Sequence, residues 1–195
     1  MTRLMELHRF WFGDKIEASR DYVLNRVPLW FQANDEVDKE IRAKFSDLEL
    51  PNTINHSKEV VATIIKYDQL PRHIFRGNWR SYKDDKKALE LAIWAIRNGV
   101  EKKLNHFEKV FLYLPFQHAE DLAYQHYSCE LFKKMNREAS ADIHFFSQQG
   151  LSHAYEHFEV IKTFGRFPHR NKVLGRKNDP LEDSFLKKVH YAWMK

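Results

Sequence analysis

Apolar residues in this chain return almost everywhere at helical intervals, and the period-two alternation of a half-buried strand is scarce. Val37, Ile41 and Phe45 stand at i, i+4 and i+8, and Val60, Val61, Ile64 and Ile65 fill one face of another segment. A chain patterned this way buries its apolar residues by packing helix on helix, so the fold is read as all-α. Leu4, Leu7 and Trp11 define a first helix stopped by Gly13, and Asn34 caps a second. Ser57 starts a third that ends near Pro71, where the ladder loses an amide proton. A fourth runs from about Lys83 to Asn98, burying Leu89, Ala92 and Ile96 before Gly99. Asn105 and Glu108 approximate a capping box for a short fifth helix, broken by Pro115.

Two longer helices are expected from about Ala119 to Asn136 and from about Ala141 to Phe164, with Gly150 marking a kink or a break in the latter. The final helix begins at Asp179-Pro180-Leu181-Glu182 and turns Phe185, Val189 and Trp193 inward. The chain has 195 residues, no long linker and no low-complexity stretch, so residues 1–195 are read as one all-helical domain. Short connections favour antiparallel hairpins stacked side by side.

Hydrophobic residues make up 43% of the chain and charged residues 30%, which excludes a disordered or collagen-like protein. The net charge of +5 invites a nucleic-acid reading until its location is considered. Residues 1–161 hold 23 Lys and Arg against 24 Asp and Glu, whereas residues 162–195 hold 9 against 3. Lys172, Arg176, Lys177, Lys187 and Lys188 belong to that basic stretch, and a solvated basic face explains them more simply than a polyanion does. The single cysteine, Cys129, excludes an intramolecular disulfide and suits a reducing compartment. The first residues lack an apolar leader, and no stretch approaches a membrane span, so a cytoplasmic protein with no membrane contact is expected.

Polar residues gather in four places. Phe164-Gly165-Arg166-Phe167-Pro168-His169-Arg170-Asn171, followed by Leu174-Gly175-Arg176, puts three arginines, a histidine and an amide in one loop. Guanidinium forks match phosphate or carboxylate oxygens, making this an anion clamp, unless the arginines pair with acids elsewhere or cap the preceding helix. His153 and His157 share a helix face at i, i+4, but no third ligand stands at a recognisable spacing, and a satisfied histidine pair is the plainer account. His118 and Glu120 follow Pro115 at the start of a helix, where Glu120 is either a first-turn acid or a partner in acid–base work with His118. Asp68 and Arg72, with Arg76 beyond, either form an ion pair or divide the roles of orienting a histidine and binding an anion. Leu70-Pro71-Arg72 and Pro168-His169-Arg170 form a faint internal echo that helix-end preferences also explain. Glycine-rich phosphate loops, a G-x-S-x-G elbow and a Cys–His pattern are missing.

Taken together, Phe10-Trp11-Phe12-Gly13, Trp30-Phe31 with Asp38, Asp68-Gln69-x-Pro71-Arg72 with Arg76-Gly77, Leu114-Pro115-x-x-His118-x-Glu120 with Gln125, and FGRFPHRN at 164–171 resemble the bacterial domain-of-unknown-function family numbered 924. That resemblance spans nearly the whole chain. It implies a tetratricopeptide-like right-handed stack of hairpins with a concave face, and no established reaction. The family's pattern falls here on Asp68, Arg72, Arg76, Asp85, His118, Glu120, Gln125, His157, Arg166, His169, Arg170, Asn171 and Arg176. The chain departs from it at His73, at Ala119, over Arg176 to Pro180, and between Asp47 and His56.

The expectation is therefore a polar pocket for a small anionic molecule, in an enzyme or a binding protein. Arg166 and Arg170, with Arg72, neutralise the anion; His157 or His118 transfers a proton; Asp68 or Glu120 orients it. Arg76, Gln125, His169, Asn171 and Arg176 complete the ligand-binding set. No cofactor and no metal are expected. The alternative is a helical-repeat module that holds a peptide or protein segment in its groove without chemistry.

Overall fold

The computed structural model describes residues 2–194, and among them the ordered structure is entirely helical. Ten α-helices follow in order: α1 (Arg3–Phe12), α2 (Arg20–Phe31), α3 (Asp35–Phe45), α4 (Ser57–Asp68), α5 (Leu70–Ile74), α6 (Asp85–Arg97), α7 (His106–His118), α8 (Leu122–Glu138), α9 (His144–Phe164) and α10 (Pro180–Lys188). None of the described helices is long and apolar enough to cross a membrane.

Side-chain caps fix most of the N-termini. Thr2, Ser19, Asn34 and Asp121 accept from first-turn amides of α1, α2, α3 and α8, and full capping boxes start α7 (Asn105 with Glu108) and α10 (Asp179 with Glu182). Gly165, at φ +69°, ends α9 in the left-handed conformation that a Cβ disfavours.

The main core gathers around α7, whose residues from Phe107 to Gln117 are buried except Lys109. It packs on α4, α6, α8 and α9. Trp11, Phe12 and Trp30 meet Phe111 edge to face at centroid distances of 5.5, 5.5 and 5.4 Å, and the Trp30 indole donates to the Trp11 carbonyl at 2.9 Å. A smaller apolar cluster of Val160, Ile161 and Phe167, with Phe164, Phe185, Tyr191 and Trp193 against it, joins α10 to the end of α9.

Three expectations from the sequence need correction, and one helix is unexpected. Pro115 does not break α7. Its missing amide and ring clash cost about 3 kcal/mol, but ending the helix there would expose Leu114 and Phe116, each worth ~1.5–3 kcal/mol buried, and unseat the last turn. The Gln125 amide, reaching back from α8, then donates to the carbonyls of Gln117 at 2.6 Å and Ala119 at 2.8 Å. Gly150 neither kinks nor breaks α9: it lies inside a continuous helix, where a Cβ would stand 3.2 Å from the Phe132 ring. The helix α2, unforeseen, forms despite Pro28 by burying Val23 and Trp30. Finally, α10 stops at Lys188, so Val189 and Trp193 do not continue its face; Val189 is extended and Trp193 lies on a separate 3-10 turn.

Candidate functional site

The ends of several helices meet at one place because α4 packs against both α6 and α7. There α4 closes on Asp68, α6 opens on Asp85 and α7 closes on His118, while Arg72 projects from α5. The turn Pro168–Arg170 brings Arg170 from beyond α9.

Asp68 is fully buried. Its Oδ1 accepts from His118 Nδ1 at 2.6 Å and lies 3.5 Å from the Arg72 guanidinium, and its Oδ2 accepts from the neighbouring Gln69 amide. Arg72 makes a two-point pair with Asp85, Nη1 and Nη2 each 3.0 Å from a carboxylate oxygen. Arg170 donates through Nη1 to Asp85 at 3.3 Å and to the His118 carbonyl at 3.1 Å. Its guanidinium is held between the Tyr82 ring at 4.6 Å and the Phe167 ring at 4.4 Å. The result is one connected network in which two carboxylates balance two guanidiniums.

His157 enters from α9. Its Nδ1 donates to the His153 carbonyl at 2.7 Å, its ring centroid lies 6.2 Å from that of His118, and Trp193 stacks on it at 3.8 Å. Partners fix the tautomers of both rings. A carbonyl and an ionised carboxylate only accept, so His157 and His118 carry their protons on Nδ1 and present Nε2 as a lone pair.

The charges support that state. Burial lowers the His118 pKa, and the Arg72 charge lowers it further. Burial likewise holds His157 well below its ordinary value, with His118 and Arg170 adding to the effect, and takes His169 down to about 3. Asp68 stays ionised: burial would raise its pKa, but the Arg72 charge and the His118 contact hold it below the usual carboxylate range. A neutral imidazole with a free Nε2, oriented by a buried carboxylate, is equipped to take a proton.

Arg170 has donors to spare. Of its five N–H groups only those on Nη1 are engaged, and its buried Nε lacks a partner among the described residues. The buried Asn171 Oδ1 and His169 Nδ1 are unpartnered in the same sense. An open cleft of about 700 Å³ runs alongside, between Pro168, His169 and Lys172 on one wall and Leu186, Tyr191 and Met194 on the other.

The remaining candidate residues sit around this network rather than in it. Glu120 precedes α8, whose cap is Asp121, and so is not a first-turn acid. It accepts from Arg176 at 2.6 and 2.9 Å and from the Phe167 amide at 2.8 Å, fixing the loop, and no hydrogen bond joins it to either histidine ring. Arg166 pairs with buried Glu182 at 2.6 and 2.8 Å, tying the loop to α10. Asn171 donates to Asn178 at 2.8 Å, and Gln125 caps the end of α7. Arg76 is elsewhere: with His73 it binds Asp38 of α3, at 2.8 and 3.0 Å for Arg76 and 2.7 Å for His73.

His153 pairs with Glu156 at 3.0 Å, and no described group of three or more His, Cys, Asp or Glu side chains is placed to hold a metal. Cys129 is buried, which pushes its thiol up to about 11 and leaves it unreactive. The residue-by-residue reading missed the roles of Tyr82, Phe167 and Trp193, because an aromatic beside a helix end carries no signal that separates it from core.

Residues 7–190 match the family described as "Bacterial protein of unknown function (DUF924)". The solved structure of a protein of unknown function from Agrobacterium tumefaciens has the same fold, with a TM-score of 0.77 and 30% identity over 95% of this chain and 97% of that one. None of the curated proteins compared matches.

Proposed function

The chain belongs to the DUF924 family of bacterial proteins of unknown function, and from that premise we propose that it binds a small phosphate- or carboxylate-bearing molecule at Arg170 and exchanges a proton with it through the Asp68–His118 pair. The observation that carries this reading is the His118 contact: Nδ1 is fixed 2.6 Å from a fully buried carboxylate, which leaves Nε2 as a lone pair, while the His118 carbonyl holds a guanidinium whose Nε has no partner among the described residues. In a site screened from water such donors bind an anion more strongly than they would at the surface. Asp68 orients the imidazole and stabilises the imidazolium formed when Nε2 takes the proton. Arg72 and Asp85 keep Arg170 in place, and His157 offers the ligand a second acceptor.

We read residues 1–195 as a single domain, which a main core running from Leu4 to Ala154 supports. The packing of α6 on α7, α7 on α8 and α8 on α9 supports a tetratricopeptide-like course. A buried lone thiol suits the cytoplasm.

Thermal unfolding with inorganic phosphate and with acetate, the simplest anions of the two classes, tests the reading. A bound anion raises the midpoint with concentration. The expected result is a rise for the wild type that R170A abolishes and H118Q keeps, since His118 moves the proton rather than holding the charge. No rise with either anion, or an equal rise in R170A, contradicts it.

A further inference from the structure

Trp193 lies over His157 like a shutter. Its indole stacks on the imidazole at 3.8 Å and 25°, meets Phe167 and His169 edge-on at 5.8 and 5.4 Å, and has Tyr191 stacked on it at 5.3 Å. With the indole in place His157 is only 4% exposed.

The segment that carries this indole is lightly held. Beyond Val189, which is extended and bonded only back to Phe185 of α10, the Met194 amide bonds locally to Tyr191. Among the described residues one hydrogen bond ties 190–194 to the rest of the molecule: the Trp193 indole N–H to Glu156 Oε2, at 2.8 Å. The apolar contacts of the segment are to the small cluster at the end of α9, separate from the main core. Segments with few buried contacts and few hydrogen bonds open at the low end of a protein's range of local unfolding free energies.

The open cleft lies against the same segment. Tyr191 and Met194 form part of one wall, and His169, whose ring faces Trp193, forms part of the other. Outward movement of 189–194 would carry the indole off His157 and extend the cleft to the His157 ring, whose centroid is 6.2 Å from that of His118.

We propose that residues 189–194 are a movable cover, with Trp193 its seal, and that its opening admits the ligand from the cleft to the His157–His118 face. The inference rests on the proposed site for its purpose but not for its test. Glu156 is the latch: its carboxylate holds the indole N–H and the His153 ring together. Closure puts an aromatic wall over the His157 imidazole and excludes water from that face of the site.

Diethyl pyrocarbonate modifies unprotonated imidazoles that solvent can reach, and peptide mass spectrometry reads each histidine separately. In the folded wild type His157 is expected to react slowly but to completion, as a cover that opens transiently requires, while exposed His126 reacts fast. Removing the seal (W193A) or the latch (E156A) should speed His157 about tenfold with His126 unchanged. If W193A fails to fold, as circular dichroism would reveal, E156A alone decides. Acceleration in either folded variant supports the cover. A wild-type His157 that reacts as fast as His126, one that never reacts, or a rate unchanged in every folded variant overturns it. Phosphate and acetate binding are not read here, so the cover and the proposed site fail separately.

Discussion

His118 and Asp68 are the last residues of α7 and α4, and their side chains join the two helix ends through a 2.6 Å contact across 50 residues of sequence. A carboxylate at a helix C-terminus faces the negative end of the dipole and is disfavoured there. Asp68 remains because Arg72, one turn on, also donates to the Asp68 backbone carbonyl, and because the His118 N–H and the Gln69 amide complete its bonding. The carboxylate thus sits where helix formation alone would not place one.

The energetics of that position are testable directly. Asp68→Asn removes the charge while keeping nearly the same volume, and leaves the half-buried Arg72 beside one carboxylate instead of two. Breaking one partner of a buried charged cluster costs about 3 kcal/mol. Urea unfolding should show a loss of that order with an unchanged slope; a loss below the ~0.5 kcal/mol typical of surface substitutions would mean that the cluster is not buried as described.

Acid should destabilise the protein in two overlapping windows. His118, His157 and His169 have folded pKa values below the unfolded 6.5, so below that pH the unfolded chain binds the protons first and stability falls as pH falls, for His169 down to about 3. Glu182 is lowered from 4.5 to about 2 by its Arg166 contact; the stability it contributes is complete above 4.5 and is lost between there and about 2. Unfolding midpoints measured from pH 8 to 4 should decline below about 6.5, and the decline should shrink in H169Q. A flat profile over that interval would contradict the buried neutral histidines.

Gly150→Ala separates propensity from packing. Inside an unconstrained helix alanine gains about 1 kcal/mol over glycine. Here the added methyl meets the buried Phe132 ring at 3.2 and 3.3 Å, with α8 and α9 closely packed, so the gain should vanish and a net loss of about 1 kcal/mol appear. F132L in the same background should restore the stabilisation.

Arg170→Lys keeps the charge but not the plane. The lysine cannot donate to Asp85 and the His118 carbonyl while filling the slot between Tyr82 and Phe167, so a loss of about 1–2 kcal/mol is expected in chemical denaturation. Retention of full stability would indicate that the slot is not occupied as described.

Much of the helical course is legible in the sequence because caps and periodicity are local. Asn105 with Glu108, Asp179 with Glu182 and Gly165 each announce a boundary that needs no tertiary partner. Pro115 and Gly150 mislead for the same reason read in reverse: their local cost is visible, whereas the burial around α7 and the approach of Phe132 that outweigh it are not. At the site, the residue types are legible in the sequence and their pairing is not. The spacing of Asp68 and Arg72 leaves open an ion pair or a carboxylate that orients a histidine, and Asp68 contacts both His118 and Arg72. The arginine-rich loop reads as uncommitted charge, yet Arg166 and Arg176 are taken by Glu182 and Glu120, acids that no spacing links to them. Trp193 is the sharpest case, a residue read as the inner face of a helix that instead leaves the helix and lies on His157.

The proposed chemistry turns on one proton. In the proposed site His118 at neutral pH is an uncharged imidazole protonated on Nδ1, toward Asp68, with Nε2 bare. Nitrogen-15 NMR of the histidine rings, with His118 assigned through its loss in H118Q, reads this state without any ligand. A protonated Nδ1 and an unprotonated Nε2 at pH 7 are the predicted result, and a proton on Nε2 or a charged imidazolium at that pH would contradict it.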